Sequence, residues 1–272
     1  MKITDVNKLQ EIAKKARRNI LEQVYSAKSG HPGGALSCID ILTVLYFNKM
    51  NVDPENPKME DRDRLVLSKG HSSAALYATL AEKGFFPEEE LKEFRKLGSR
   101  LQGHPDLNKL PGVDMTSGSL GQGLSAACGM AIASKLNKKS NRVYCIVGDG
   151  EIQEGQIWEA AMTAAHYKLD NLCLIVDNNN LQIDGKVSDI MSPYPIAEKL
   201  ESFGFVVFKV NGNNIEDLIN VFEKIEFVKE KPVAIVANTI KGKGISFMEN
   251  KAEWHGKAPN EEQYNQAISE LV

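Results

Sequence analysis

The sequence predicts an α/β fold, with a mostly parallel central sheet and helices on both faces. Four continuous apolar runs occur in the second half of the chain, and segments with helical spacing separate them. Continuous apolar strands that alternate with helices are typical of a parallel sheet covered on both sides. No internal repeat, low-complexity tract or convincing linker interrupts the pattern. We therefore expect residues 1–272 to form a single domain.

The first half of the chain begins with a segment of helical spacing, 8–27, in which apolar residues recur every three or four positions. A glycine- and proline-rich break over 29–34 follows it. The next elements are predicted in the order helix over 39–47, loop over 51–58, short strand over 65–67 and helix over 72–83.

The second half is more regular. A glycine-rich segment, 112–123, leads into a helix of small residues over 124–135. The four apolar runs predict strands over 143–147, 172–176, 205–208 and 233–237. Helical spacing over 153–166, 196–203 and 215–227 supplies the connections.

Composition excludes several classes of protein. The chain is 42% apolar and 25% charged, with a net charge of -3 and no basic stripe, so nucleic acid is not an expected partner. No apolar run approaches the roughly 20 residues that span a bilayer. The first residues have the features of neither a signal nor a transit peptide, so we expect a cytoplasmic protein. The four cysteines share no CxxC spacing, which favours buried free thiols over zinc ligands or disulfides.

Two of the predicted strands end in polar clusters, Gly148-Asp149-Gly150 and Asp177-Asn178-Asn179-Asn180. Ligands of open α/β sheets bind beyond the carboxyl ends of the strands, and one helix between these strands allows them to be neighbours. Asp149 and Asn179 could then face one another. A carboxylate and an amide oxygen suit Mg²⁺, although Asp, Asn and Gly also favour ordinary turns. There is no GxGxxG, so a dinucleotide site has little support.

Four of the five histidines lie in short loops beside glycine, namely His31, His71, His104 and His255. A glycine neighbour lets an imidazole project from tight backbone into a ligand space. A single loop histidine is usually only solvated, but four in this context favour a functional role. His166 differs, because it lies in an alanine-rich helix and is expected to be structural.

Gly148-Asp149-Gly150, followed by Asn178-Asn179, resembles the diphosphate motif of thiamine-diphosphate enzymes. The resemblance implies that Asp149, the side chain of Asn179 and the backbone carbonyl of Leu181 bind a divalent metal. That metal would be Mg²⁺, or Ca²⁺ or Mn²⁺ in its place, and it would bridge the diphosphate of the cofactor. Gly150 would donate its N–H to the same diphosphate. The fold implied is the thiamine-diphosphate-binding fold, in the form of its diphosphate-binding (PP) domain.

With the histidines included, the chain is similar to transketolase from Ser29 to Pro259. The resemblance implies that His31, His71, His104 and His255 surround the reacting carbons and the thiazolium. There they would hydrogen-bond sugar hydroxyls and move protons, and His71 and His255 would also contact the cofactor. The loop expected to lie against the cofactor is Gly118, Ser119 and Leu120.

Glu154 matches a carboxylate that, in the family, joins a network between the two halves of a dimer and belongs to the cofactor site. An equally good interpretation is a first-turn helix glutamate favoured by the helix dipole. Ser119 stands where many members have proline, and the Lys251–Trp254 segment before His255 also departs from the pattern. Neither change removes a functional side chain.

Full transketolases continue well beyond the segment matched here. The resemblance therefore implies a split enzyme, in which a C-terminal subunit carries the pyrimidine-binding domain, its activating glutamate and most groups that hold the substrate phosphate. The expected assembly is a heterotetramer that is active only with this partner, because the family's sites form between dimer-related chains.

The activity implied is transfer of a two-carbon ketol group from a ketose, expected to be a sugar phosphate, to an aldose. Such a reaction belongs to carbohydrate metabolism, as in the pentose phosphate pathway. Thiamine diphosphate would supply the electron sink, and the protein orientation, charge and proton transfer. The alternatives are a subunit of another thiamine-diphosphate enzyme, such as a 2-oxo acid dehydrogenase alpha chain or a deoxyxylulose-phosphate synthase, and a non-catalytic Mg²⁺–diphosphate binding module. The sugar, and whether it ends in phosphate, sulfonate or a neutral group, stays open.

Overall fold

The computed structural model describes residues 2–271 and confirms the α/β architecture. Its strands are β1 (Arg64–Leu67), β2 (Val143–Gly148), β3 (Leu172–Asn178), β4 (Leu181–Gln182), β5 (Gly185–Lys186), β6 (Val206–Asn211) and β7 (Val233–Asn238). Five of them form one parallel sheet in the order β1-β2-β3-β7-β6, and β4 and β5 form a separate antiparallel hairpin.

The helices that connect and cover the strands are α1 (Val6–Ala27), α2 (Pro32–Val44), α3 (Ser73–Lys83), α4 (Gln122–Leu136), α5 (Gly155–His166), α6 (Val187–Ile190), α7 (Ile196–Ser202), α8 (Ile215–Lys224) and α9 (Glu261–Glu270). Shorter turns of 3₁₀ helix occur at Gly70–Ser72, Glu88–Glu93, Glu151–Gln153, Ile225–Phe227 and Ala252–Trp254, and a π-helical turn at Leu45–Lys49 extends α2. No helix within residues 2–271 is long and apolar enough to cross a membrane.

Two buried layers flank the sheet, because successive side chains of a strand point to opposite faces. Along β2, Tyr144 and Ile146 pack with α1, α2, α3 and α8, whereas Val143, Cys145 and Val147 pack with α4, α5 and α7. Both faces are therefore apolar, which explains the continuous runs in the sequence. The four cysteines are buried and free, as expected.

The register of the sheet brings the ends of its strands to one edge. Gly148 of β2 pairs with Asp177 of β3, and Asn178 of β3 pairs with Asn238 of β7. The residues that follow β1, β2, β3 and β7 consequently meet above the same edge. β2 and β3 are direct neighbours, an arrangement that the single helix between them allows.

The first part of α2 differs from the sequence prediction, which begins this helix at residue 39. The helix starts at Pro32, with His31 at its N-cap. Proline suits the first helical position, because it has no N–H to leave unpaired and its φ is already helical. The irregular segment predicted over 29–34 therefore ends at His31, which lies at the N-terminus of α2.

Helix α9 and the β4–β5 hairpin are not among the predicted elements. Asn260 and Gln263 form a capping box at the start of α9, a signal that the sequence does contain. The hairpin has only two residues in each strand, too few for a periodic pattern to show.

Candidate active site

A cavity of about 360 Å³ opens above the carboxyl edge of the sheet, a volume that suits a small-molecule ligand. Loops after four different strands contribute to it, with Lys69 after β1, Asp149 after β2, Asn179 after β3 and Lys241 after β7. Ten residues singled out from the sequence line it: His31, His71, Gly118, Leu120, Asp149, Gly150, Glu154, Asn179, Leu181 and His255. Ser119 and His104 are outside this lining.

Asp149 is a buried carboxylate at the floor of the cavity, with 2% of its surface exposed. One carboxylate oxygen accepts the N–H of Gly150 at 2.9 Å, and the other accepts the N–H of Asn180. Burial, with a smaller contribution from the charge of Asp177, raises the pKa of Asp149 to about 6. A cation bound at these oxygens would favour the charged form and reverse that shift.

Two further oxygens line the cavity beside Asp149. The amide oxygen of Asn179 accepts the N–H of Leu181 at 3.1 Å, and the carbonyl of Leu181 lies 3.3 Å from the ammonium of Lys241. Carboxylate, amide and carbonyl oxygens form the kind of donor set that Mg²⁺ and Ca²⁺ take in proteins. These residues therefore fit the divalent metal that the sequence predicts.

Asp177, at the end of β3, is an acid to which the sequence analysis assigns no role. It is fully buried. It accepts hydrogen bonds from Ser37 Oγ at 2.6 Å, from Thr239 Oγ1 and from the ammonium of Lys69. Burial alone would raise the pKa of this carboxyl, but Lys69 holds it below its usual value. Its oxygens are thus satisfied inside the protein, which leaves Asp149 to present its carboxylate to the cavity.

Two buried lysines that sequence reasoning missed point into the same space. Lys69 pairs with Asp177, which raises the pKa of Lys69 despite its burial, and it also donates to the Gly34 carbonyl at 2.7 Å. Burial, with repulsion from Lys69, lowers the pKa of Lys241 to about 8. Each lysine follows a buried strand by only a few residues. This position beyond a strand end is the feature of the sequence that could have identified both lysines as site residues. Two ammonium groups beside an oxygen donor set suit a metal-bound diphosphate.

Three of the predicted histidines form a compact triangle in the cavity. The ring centroids of His31 and His71 are 5.2 Å apart, those of His31 and His255 are 5.3 Å apart, and those of His71 and His255 are 5.1 Å apart. His31 lies near the start of the chain and His255 near its end. Only the tertiary structure brings these rings together.

The three rings are held in their neutral form. Burial, together with the charge of Arg95, lowers the pKa of His31 to about 4. Burial and the charge of Lys241 lower the pKa of His255 to about 3, and burial beside Lys69 takes the pKa of His71 well below its usual value. Near neutral pH each ring can therefore both donate and accept a hydrogen bond.

The other two histidines lie elsewhere. His104 is at the rim, where its ring packs against Gly118; a Cβ added at Gly118 would lie 3.4 Å from that ring. Burial and Arg95 lower the pKa of His104. His166 is the last residue of α5, exposed and outside the cavity lining.

A carboxylate missed by sequence reasoning ties the loops of the site together. Glu151, which is 3% exposed, accepts the N–H of Gly121 at 2.9 Å and that of Gly148 at 3.1 Å, and it also accepts from Ser68 Oγ. It thereby joins the end of β1, the end of β2 and the start of α4. Glu154, three residues on, has its side chain exposed at the cavity rim.

The chain matches the family model described as transketolase, thiamine diphosphate binding domain, over residues 8–271. One subunit of the apulose-4-phosphate transketolase of Phocaeicola vulgatus is 45% identical over 98% of this chain and 94% of its own length. The 6-deoxy-6-sulfo-D-fructose transketolase subunit SqwG of a Clostridium species is 45% identical over 97% of this chain and 96% of its own. Human transketolase is 42% identical over 97% of this chain, but only 42% of its own length is covered.

Solved structures give the same result. Transketolase from Campylobacter jejuni superimposes with a TM-score of 0.92 at 36% identity, covering 98% of this chain and 43% of that one. Transketolase from Leishmania mexicana superimposes with a TM-score of 0.92 at 33% identity, covering 97% and 41%. This chain thus spans less than half the length of the single-chain enzymes that it resembles, and nearly the whole length of the separate subunits.

Proposed function

Because this chain belongs to the transketolase family, as a thiamine diphosphate binding domain, we propose that it is the cofactor-holding subunit of a split transketolase. Its reaction is transfer of a two-carbon ketol group between sugars. The chain forms a single domain in this proposal. The observation that carries this proposal is the joining of three groups in one cavity: a metal-type oxygen set, two buried ammonium groups and a triangle of neutral histidines.

The lower part of the cavity would hold the diphosphate end of thiamine diphosphate. Asp149, Asn179 and the carbonyl of Leu181 are the metal ligands in this proposal. The N–H of Gly150, which donates to Asp149 at 2.9 Å, would be shared with the diphosphate. Lys69 and Lys241, each 2% exposed, add positive charge that is screened less than it would be in solution. The metal is Mg²⁺, or Ca²⁺ or Mn²⁺ in its place.

The upper part of the cavity would receive the reacting sugar. When bound, thiamine diphosphate supplies the electron sink for breaking and forming the carbon–carbon bond. The lowered pKa values of His31, His71 and His255 favour their neutral form near neutral pH, so they can orient sugar hydroxyls and pass protons there. His104 would contact the sugar from the rim. Gly118, Ser119 and Leu120 would lie against the cofactor.

A second chain completes the site in this proposal. Two large apolar side chains that line the cavity are exposed, with Leu120 37% and Ile183 66% accessible, and exposed apolar surface beside a site suits a protein interface. Glu154 lies exposed at the same rim, where it can join a network between the halves of a dimer. The partner is the C-terminal subunit with the pyrimidine-binding domain, and the assembly is a cytoplasmic heterotetramer.

The two relatives at 45% identity are named for a phosphorylated and a sulfonated sugar. Similarity at this level therefore does not select the terminal group of the substrate. We propose a sugar phosphate substrate, as in the pentose phosphate pathway, with the terminal group held mostly by the partner. A 2-oxo acid dehydrogenase or deoxyxylulose-phosphate synthase subunit is disfavoured, because the named relatives are transketolases.

Calorimetric titration of thiamine diphosphate tests the cofactor site. The chain alone should bind the cofactor only when Mg²⁺ is present, because Asp149 would hold the cation that offsets the charge of the diphosphate. Adding the chain of the same genome that matches the C-terminal part of transketolase should tighten binding, since it covers the ring of the cofactor. Binding that is indifferent to both Mg²⁺ and the partner would contradict the proposal.

A further inference from the structure

One ring nitrogen of His31 faces an arginine. The Nη2 atom of Arg95 lies 3.3 Å from Nδ1 of His31, and its Nη1 donates to the hydroxyl of Ser29 at 2.7 Å. Arg95 therefore contacts the loop that leads into α2 at two points. None of the groups assigned to the cofactor or the metal takes part in this contact.

Arg95 is fixed in place by its own surroundings. Its N–H donates to the carbonyl of Leu101 at 2.8 Å, and its φ of 60° places the backbone in the left-handed region, which non-glycine residues adopt rarely. The guanidinium lies close to Gly103, where an added Cβ would be 3.0 Å from it. This contact gives a physical reason for the glycine that precedes His104.

The guanidinium decides which nitrogen of His31 carries the proton. Arginine has only donors and stays charged, so Nδ1 of His31 must act as the acceptor. In a neutral imidazole the proton is then on Nε2. An N–H at Nδ1 would point at a cation. In the described part of the chain, the His31 ring has no hydrogen bond to a carboxylate or carbonyl that could hold the other tautomer.

The remaining groups that face the ring do not oppose this arrangement. They are His104, His71, His255 and Lys241, and none of them is an acid. Lys241 makes a related contact with Nδ1 of His255 at 3.1 Å. The tautomer of His255 is less strictly determined by this contact, because a lysine amine that loses its proton can accept a hydrogen bond, whereas a guanidinium cannot.

We propose that Arg95 is a positioning residue that fixes His31 as the Nε2–H tautomer. The ring then presents a hydrogen-bond donor to the cavity. It would donate to a hydroxyl or carbonyl oxygen of the sugar and stabilise negative charge that develops there. The role of His31 toward a sugar rests on the proposed function, but the tautomer and its dependence on Arg95 do not.

The test is a long-range ¹H–¹⁵N correlation spectrum of the full chain with ¹⁵N-labelled histidine, without cofactor or partner. A His31→Gln sample assigns the signal. The variants are Arg95→Met, which removes the donors, and Arg95→Lys, which keeps the charge. The matched control is Arg100→Gln, because Arg100 lies in the same segment but pairs with Glu90 at 2.7 and 2.8 Å.

Near neutral pH, His31 of the wild-type chain and of Arg100→Gln should show the Nε2–H tautomer alone. In Arg95→Met the two tautomers should mix, and the titration midpoint of His31 should rise by about one unit or more from loss of a neighbouring cation. Arg95→Lys should lie between them. An Nδ1–H tautomer in the wild-type chain, or an unchanged tautomer in Arg95→Met, would overturn the proposal.

The wild-type spectrum keeps the test decisive even if Arg95→Met fails to fold. Should ketol transfer be found in the assembled protein, Arg95→Met should lower kcat/KM by about 10- to 100-fold, as for other residues that fix a histidine tautomer. Cofactor affinity should stay unchanged. Failure to detect ketol transfer, with the tautomer as expected, would count against the proposed function and leave the role of Arg95 standing.

Discussion

The ammonium of Lys241 lies 3.1 Å from Nδ1 of His255 and 3.3 Å from the carbonyl of Leu181. One side chain thus contacts both ends of the cavity, the oxygen set on one side and the histidine triangle on the other. Lys241 is 2% exposed, so its charge is poorly screened by water. A metal and a diphosphate bound at the oxygen set would change the electrostatic potential at the histidine triangle. Cofactor binding would therefore influence the groups that contact the sugar.

Asp149→Asn should abolish the increase in melting temperature that thiamine diphosphate and Mg²⁺ produce together. The amide keeps the shape of the side chain but removes the only charged metal ligand of the proposal. The apo variant should lose up to about 1–3 kcal/mol of stability, because an asparagine can accept only one of the N–H groups of Gly150 and Asn180 that both bond to the Asp149 carboxylate. Differential scanning fluorimetry with and without both ligands measures this.

Asp184→Asn is the matched control, because Asp184 is an exposed acid that lines the same cavity. It should keep the full ligand-induced increase. Equal stabilisation of the Asp149 variant and the wild type would rule out Asp149 as the metal ligand.

His31→Ala and His255→Ala should each lower turnover of the assembled enzyme by about 10²–10⁴, the range for a positioned acid–base group. Both rings line the cavity, so this loss should come with little change in melting temperature. His104→Ala should show a smaller loss, because His104 lies at the rim. His166→Ala, at an exposed helix end, should match the wild type. A fall in stability without a specific loss of kcat would indicate that the triangle only packs.

The same two rings should make the chain sensitive to acid. Their folded pKa values, about 4 for His31 and about 3 for His255, lie below the unfolded value near 6.5. As pH falls below about 6.5, the unfolded chain binds protons at these histidines and the folded chain does not. The free energy of unfolding therefore decreases as the pH is lowered. Replacing both residues by Gln removes the effect.

Urea unfolding of the doubly substituted chain at about pH 7 and about pH 5 measures this difference. Relative to the wild type, the variant should gain free energy of unfolding at the lower pH. His166→Gln serves as control. A stability difference from the wild type that is the same at both pH values would show that these pKa values are not depressed.

Two glycines of α4 should respond to alanine in opposite ways. At Gly123 a Cβ would lie 2.3 Å from Ser68 Oγ and 2.8 Å from the Ser68 Cα, whereas at Gly129 no atom lies within 4 Å. Gly123→Ala should cost about 1–3 kcal/mol from overpacking. Gly129→Ala should stabilise the chain by about 0.5–1 kcal/mol, because alanine favours a helix interior. Urea unfolding of the two variants compares them directly, and a loss at Gly129 as large as at Gly123 would contradict the packing described.

Local signals made the sheet and its acidic edge predictable. The apolar runs of β2 and β3 mark the strands, and the helix between them fixes Asp149 and Asn179 on the same edge. The predicted start of α2 is too late, because Pro32 and the two glycines after it are also typical of a break. The proline stands at a position where it favours a helix.

The rest of the site depends on contacts between distant segments. Lys241 meets His255 and Leu181 only because β7 pairs with β3 across the sheet, and the sequence order of the strands does not reveal that pairing. Arg95 belongs to an irregular segment without periodicity, so nothing local links it to His31. The inner position of three histidines and the rim position of His104 follow from the same long-range packing.

Ketol transfer is measured with the purified chain, alone and with its partner, to show whether the enzyme is divided between two subunits. Xylulose 5-phosphate and ribose 5-phosphate serve as substrates, with thiamine diphosphate and Mg²⁺ in excess. From the split-enzyme proposal we expect no measurable turnover by the chain alone, because the cofactor ring would lie in solvent without the pyrimidine-binding domain. Turnover should become clear once the C-terminal chain is added. Substantial turnover by the chain alone, or none in a verified complex across phosphorylated and sulfonated sugars, would contradict it.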